Sequence, residues 1–261
     1  MKILQSRNNP LLKQLIKLSG SSRDCRLSRT AILDGEHLIE AYVAARTDPL
    51  ELILASESGM QRAGVRKLME LAPAHSRALI EDRLLSQISQ VVTTSGVLAL
   101  IKTPQAPELP SEIADGIFLE GIQDPGNLGS IMRSALGAGL CKVFLTGGSV
   151  FAWSPKVIRA GMGAHFHLAI YENVDLRDIR ERASGLIVAT QPNAALSIYA
   201  ANLRGPAIWM FGNEGAGLSQ AARDACSLNV RIPMAGFTES LNIAAAAAIC
   251  LFEQSRQRQS S

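Results

Sequence analysis

Three stretches of this 261-residue chain combine polar side chains with glycine in a way that could support chemistry. The first, "EGIQDPGNLGSIMRSALGAG" (120–139), carries Gly126 and Gly129, which permit a tight turn or close approach to a ligand. Asn127 is a candidate helix cap there, and Arg133 follows on the helix. The second, "MFGNEGAGLS" (210–219), sets Glu214 among Gly212, Gly215 and Gly217. Glycine-rich loops before helices commonly cradle phosphate, because free N–H groups and the helix N-terminus favour an anion. Glu214 would repel one, no lysine completes a P-loop, and neither "GAGLSQ" nor "GMGAHF" completes a dinucleotide fingerprint. The loop therefore suits a neutral or cationic ligand read by backbone groups. In the third, "PMAGFTESLNIAAAAAICLFE" (233–253), a polar loop runs into a helix of alanines. Ser240 and Asn242 bracket Leu241 where the helix begins, so capping and chemistry both account for them. Ala244 to Ala248 give high helix propensity with almost no bulk, so neighbouring backbone can come close.

Each loop leaves a β-rich run and enters a helical one. From Gly116 the chain alternates "GIFLE", "KVFLT", "FHLAIYE", "LIVAT", "PAIWMFG" and "LNVRIP" with helical stretches, which predicts a mostly parallel sheet covered on both faces. A shorter alternation from "AILDG" (31–35) to "VLALIKT" (97–103) predicts a small α/β unit of its own. Between them "TPQAPELPSE" (103–112), with three prolines, reads as a linker, giving domains at 1–105 and 112–261. Residues 1–29 hold Lys2, Arg7, Lys13, Lys17, Arg23, Arg26 and Arg29 against Asp24 alone, either a solvated helical face or an arm for nucleic acid.

Composition excludes several classes. Hydrophobic content of 47% and charged content of 19% describe a globular protein with ample core, and the formal charge is only +3. The four cysteines and four histidines show no metal-ligand spacing, so no metal is expected and a reducing cytoplasm suits the thiols. His165 and His167 read as packed side chains. The longest apolar run, "IAAAAAICLF", has ten residues, short of the roughly 18 of a membrane span, and no signal peptide is visible.

The three loops, in this order, resemble the three motifs of the SpoU (TrmH-type) family of RNA ribose 2'-O-methyltransferases in the SPOUT superfamily. The matching segments are "NLGSIMRSALGAG", "FGNEGAGLS" and "IPMAGFTESLNIAAAAAICLFE". "SPKVIRAGMGAHFHLAI" is similar to a further family segment, except that Gly161 stands where serine is common. The resemblance covers roughly 115–255, and "LDGEHLIEA" makes 31–102 resemble the small α/β RNA-binding domain that precedes the catalytic domain in many members.

That resemblance implies a C-terminal domain with a deep trefoil knot, homodimers with the site completed across the interface, and S-adenosylmethionine as cofactor. Gly212, Ile232, Leu241 and Met234 would hold the cofactor. Arg133, Asn127, Glu214, Ser240 and Asn242 would form the catalytic set. A guanidinium is always protonated, so Arg133 fits a clamp on a substrate phosphate, with that phosphate or a water taking the proton. Lys13, Lys17, Arg23 and Arg26 would bind RNA. The implied substrate is structured RNA, ribosomal in preference to transfer RNA; the alternatives are a transfer-RNA 2'-O-methyltransferase or a non-catalytic RNA-binding or ribosome-assembly protein.

Overall fold

The computed structural model describes residues 2–45, 48–91, 93–237 and 240–259. Thr238 and Glu239 of the third polar loop lie outside the described residues. In chain order the first half runs β1 (Lys2–Leu4), α1 (Pro10–Gly20), α2 (Ser22–Ser28), β2 (Thr30–Asp34), α3 (Glu36–Ala45) and β3 (Leu52–Ser56). It continues through α4 (Glu57–Met60), α5 (Ala63–Leu71), β4 (Arg77–Ile80), α6 (Asp82–Ile88) and β5 (Val97–Lys102). The second half runs β6 (Gly116–Leu119), α7 (Pro125–Gly137), β7 (Lys142–Leu145), α8 (Pro155–Gly161), β8 (Ala169–Glu172) and α9 (Leu176–Arg182). Then follow β9 (Leu186–Thr190), β10 (Leu196–Ser197), β11 (Ala207–Phe211), α10 (Gln220–Ala225), β12 (Leu228–Arg231) and α11 (Ile243–Gln259).

Two units result. The first comprises residues 1–105 with 153–166, and the second 106–152 with 167–261. The first unit's sheet has the order β1-β4-β3-β5-β2, with β5 antiparallel to both of its neighbours. Its basic N-terminus is no free arm. Asn9 caps α1, Pro10 opens it, and Leu12, Leu15 and Leu18 bury one stripe, leaving Lys13 and Lys17 exposed on the other side. Arg23 and Arg26 are exposed on α2, and Lys17 reaches Asp24 at 2.8 Å.

Residues 153–166, read from sequence as part of the C-terminal domain, pack in the first unit instead. Side chains explain it: Val157 and Ile158 are fully buried, Phe166 meets Tyr42 edge-on at 5.2 Å, and Arg159 donates to the Gln90 carbonyl at 2.9 Å. His165 is buried beside Trp153, as expected of a packed histidine, whereas His167 is exposed.

The second unit holds an all-parallel sheet in the order β10-β12-β9-β11-β6-β7-β8. Its central strands β6 and β11 are buried along their whole length, so "GIFL" and "AIWMF" carry no polar alternation. Phe118, Phe144, Ile208 and Met210 fill one core, with Phe144 stacked on Tyr171 at 4.9 Å. Trp209 is fully buried, its indole N–H donating to Gln254 of α11 at 2.8 Å. Gln257, one turn further, donates to the Ala201 carbonyl and accepts from Leu203 N. Amides on α11 thus satisfy buried groups that alanine and leucine could not. The order places the reversal of winding between β6 and β11: from β6 the chain moves outward to β7 and β8, then returns to the other side. In open parallel sheets, ligands bind at the carboxyl ends of the strands flanking such a point.

Candidate functional site

The loops leaving β6 and β11 meet there. Four consecutive amides of the first loop are each held by a side chain. Gly121 N donates to Thr146 Oγ1 (3.0 Å), Ile122 N to Ser149 Oγ (3.2 Å), and Gln123 N and Asp124 N to the two carboxylate oxygens of Glu214 (3.1 and 3.0 Å). No amide of this run is left for an anion, so the loop is a rigid mount and not a phosphate cradle. Gly121 takes the turn at φ +68°, where L side chains are strained.

Asp124, not Asn127, caps α7: its Oδ1 accepts from Asn127 N at 2.8 Å, and Pro125 occupies the first helical position. The capping expectation for Asn127 is corrected by this geometry, which leaves its side chain for tertiary contacts. Asn127 Nδ2 donates to Glu214 Oε1 (3.1 Å), and its Oδ1 accepts from Asn242 Nδ2 (2.9 Å). Asn242 does double duty, because its Oδ1 also caps α11 by accepting from Ala244 N and Ala245 N at 2.9 and 3.3 Å. One chain of hydrogen bonds, Glu214–Asn127–Asn242, therefore ties together the three loops singled out in the sequence.

The glycine loop is stiff. Asn213 and Gly217 exchange backbone hydrogen bonds at 3.0 and 2.8 Å, while Asn213 Oδ1 accepts from Gly215 N and Ala216 N, both at 2.9 Å. A Cβ on Gly212 would lie 2.2 Å from the Gly217 carbonyl carbon, so only glycine fits. At the loop's far end Glu120 accepts from Ser219 N and Ser219 Oγ, both at 2.7 Å.

Above these loops opens a cavity of about 590 Å³, within the usual range for small-molecule sites. Asn127, Gly212, Glu214, Arg223, the Ser240–Asn242 segment and the Thr190–Asn193 segment all line it. Arg223 donates to the Leu218 carbonyl and, at 2.9 Å, to Gln220 Oε1. No hydrogen bond joins the Ser240 hydroxyl to another described residue, so it can meet a ligand. Burial would raise the Glu214 carboxyl, but donation from Asp124 N, Asn127 and Gln123 N outweighs it and holds the group below its ordinary value. Glu214 was expected to complement a positive ligand. It lines the cavity, but with both oxygens engaged its evident work is to position Asn127 and the β6 loop.

Other expected residues sit elsewhere. Arg133 is exposed, does not line the cavity, and shows no ion pair or hydrogen bond to a described residue. Six residues at 3.6 per turn put it about 120° around α7 from Asn127, which is the physical reason. Ile232 and Met234 also lie outside the cavity wall, Met234 being 41% exposed. Sequence reasoning missed Thr146, Ser149, Glu120, Asn213, Ser219 and the Thr190–Asn193 wall. "TGGS" (146–149) after β7 and "TQPN" (190–193) after β9 were the available signals, each a polar loop at a strand's carboxyl end. Among the described residues, no group of three or more His, Cys, Asp or Glu could hold a metal.

Fold and site together define an α/β protein that binds a small molecule in stiff loops at the switch point of an open parallel sheet. Residues 116–252 match the model of the SpoU rRNA methylase family, and the chain belongs to that family. It is 31% identical to an uncharacterised tRNA/rRNA methyltransferase of Synechocystis sp., over 98% of this chain and 94% of that protein. The 23S rRNA guanosine 2'-O-methyltransferase RlmP of Bacillus subtilis is 28% identical, over 97% and 98% of the two chains. An AdoMet-bound rRNA methyltransferase structure from Sinorhizobium meliloti superposes with a TM-score of 0.83 at 25% identity, covering 98% and 97%.

Proposed function

We propose that this protein is an S-adenosylmethionine-dependent methyltransferase acting on a ribose 2'-hydroxyl of ribosomal RNA. The single observation that carries the reading is the Glu214–Asn127–Asn242 chain of hydrogen bonds at the edge of the switch-point cavity. The residues fit the cofactor: the cavity has the size of a small-molecule site, and Gly212 and Leu241 in its lining offer main-chain groups. When bound, S-adenosylmethionine supplies an electrophilic methyl group on a sulfonium sulfur. Gly212 and Leu241 would hold the adenosine part through main-chain groups.

Asn127 and Asn242 spend most of their hydrogen-bonding capacity on each other, Glu214 and the α11 amides. They fix loop geometry and do not move protons. The Ser240 hydroxyl can align the incoming 2'-hydroxyl by hydrogen bonding. No described cavity residue is a general base in an obvious position, in keeping with proton release to a substrate phosphate or water.

Arg133 acts in this reading from a second copy of the chain. Its side of α7 is exposed, and α11 beside it presents Phe252, 51% exposed, whose ring would lie 3.3 Å from a Cβ on Gly137. An apolar patch beside an unpaired cation suits an isologous interface in which each Arg133 clamps substrate phosphate at the partner's cavity. The same reading carries the deep trefoil knot that the family resemblance implies for the C-terminal segment. The first unit, with Lys13, Lys17, Arg23 and Arg26, supplies RNA affinity, and the protein works in the cytoplasm. No described helix is long and apolar enough to cross a membrane.

Incubating the protein with methyl-labelled S-adenosylmethionine and ribosomal RNA lacking the modification tests the function. Label in an alkali-resistant dinucleotide supports ribose methylation; label on a base, or none, refutes it.

A further inference from the structure

The chain has seven phenylalanines, and those named in its cores are shielded: Phe118 and Phe144 fully, Phe166 and Phe211 to within 3%. Phe237 is the opposite case, 108% exposed, more open than in an extended reference peptide. Leaving such a ring in water forgoes the favourable burial of its apolar surface. Its position is specific. Phe237 stands three residues before Ser240, which begins the cavity wall of Ser240, Leu241 and Asn242. At no more than about 3.6 Å per residue, the ring's backbone is within roughly 11 Å of that wall. Among the described residues its neighbourhood is open: a Cβ on the preceding Gly236 would meet no atom within 4 Å, and Met234 is 41% exposed. Pro233, Met234, Ala235 and Gly236 bear no charge, so this stretch does not work by holding phosphate.

We infer that Phe237 is a stacking platform for an unpaired RNA base beside the ribose being methylated. This rests on the methyltransferase reading and deepens it by assigning a residue that grips the substrate. A 2'-hydroxyl reaches a walled cavity only when its nucleotide is drawn out of regular stacking, which leaves that base or its neighbour without a face to stack on. An exposed aromatic ring within chain reach of the cavity wall can replace the lost partner. Every base has a π-face, so the contact strengthens binding without choosing sequence.

Base–aromatic stacking is worth roughly 1–3 kcal/mol by truncation, so Phe237→Ala should weaken RNA binding about 5- to 150-fold. The measurement is filter binding of an unmodified 23S ribosomal RNA transcript to the full chain, beside calorimetry with S-adenosylhomocysteine. Phe237→Trp should bind RNA as the parent does, Phe237→Leu as weakly as Phe237→Ala, and all three should bind S-adenosylhomocysteine normally. Unchanged RNA affinity in Phe237→Ala, or full affinity in Phe237→Leu, overturns the proposal. So does a shifted monomer–dimer equilibrium in Phe237→Ala on sedimentation, which would show that a second copy covers the ring. The readout is binding, so a parent protein that transfers no methyl would sink the enzymatic reading while still testing the platform.

Discussion

Removing the Glu214 carboxylate is the most informative single perturbation of the site. Glu214→Ala strips the acceptor from Gln123 N, Asp124 N and Asn127 Nδ2, which it holds at 3.1, 3.0 and 3.1 Å. The side chain is exposed enough to be partly hydrated, so each bond is taken at about 0.5–1 kcal/mol, giving roughly 1.5–3 kcal/mol in all. If that order is what presents the cavity to its ligand, affinity for S-adenosylhomocysteine by titration calorimetry should fall about 10- to 150-fold. Glu214→Gln keeps an oxygen for Asp124 N and Asn127 but turns an NH2 toward the Gln123 amide, so an intermediate loss is expected. The pH profile follows from the sign of the shift. The folded carboxyl lies below its ordinary value of 4.5, so its contribution is complete above that value and is lost as pH falls through the lower folded one. Parent affinity should stay level from neutral pH to about 5 and drop only in stronger acid, a drop the Ala variant lacks. An Ala variant that binds within twofold of the parent would refute the reasoning.

Three further outcomes are expected. Gly212→Ala, whose new Cβ meets Gly217 backbone at 2.2 Å, should lower Tm by several degrees and abolish ligand binding, whereas Gly205→Ala, with nothing within 4 Å, should do neither; thermal melts with and without ligand decide it. Mixing Arg133→Ala with Asn242→Ala protein, both inactive alone, should restore about a quarter of parental methyl transfer, since half the dimers carry one intact site when Arg133 serves the partner's cavity; no restoration means Arg133 acts within its own chain or not at all. Neutralising Lys13, Lys17 and Arg23 should flatten the salt dependence of RNA binding by about two units of log–log slope, and an unchanged slope would leave them as solvated surface.

Much of this was legible in the sequence, for identifiable reasons. The central strands β6 and β11 follow from uninterrupted apolar runs, because a parallel sheet buried on both faces tolerates no alternation there, whereas β12 (Leu-Asn-Val-Arg) alternates and is only half-buried. Gly212 and Gly217 pointed to exposed loop backbone, and Ser240 and Asn242 were both candidate caps, of which Asn242 caps α11. Local pattern could not reveal partners distant in sequence. Thr146 and Ser149 look like ordinary turn residues until the β6 loop lies beside them; the Asp124 cap, by contrast, was local and legible in the Asp-Pro pair that opens α7. The three residues of β1 were too short to announce a strand, and the antiparallel direction of β5 depends on pairing that no periodicity encodes. Met234 and Ile232 show the converse limit: membership in a motif did not bring them into the cavity wall.

The most direct measurement is a crystal structure of the protein soaked with S-adenosylhomocysteine. The expected result is adenosine density against Gly212 and Leu241, with the ligand sulfur turned toward the Asn127–Asn242 pair and the hydrogen bond between them intact. Density in another pocket, or a ligand that fills this one with its sulfur pointing away from those two amides, would contradict the assignment of the site.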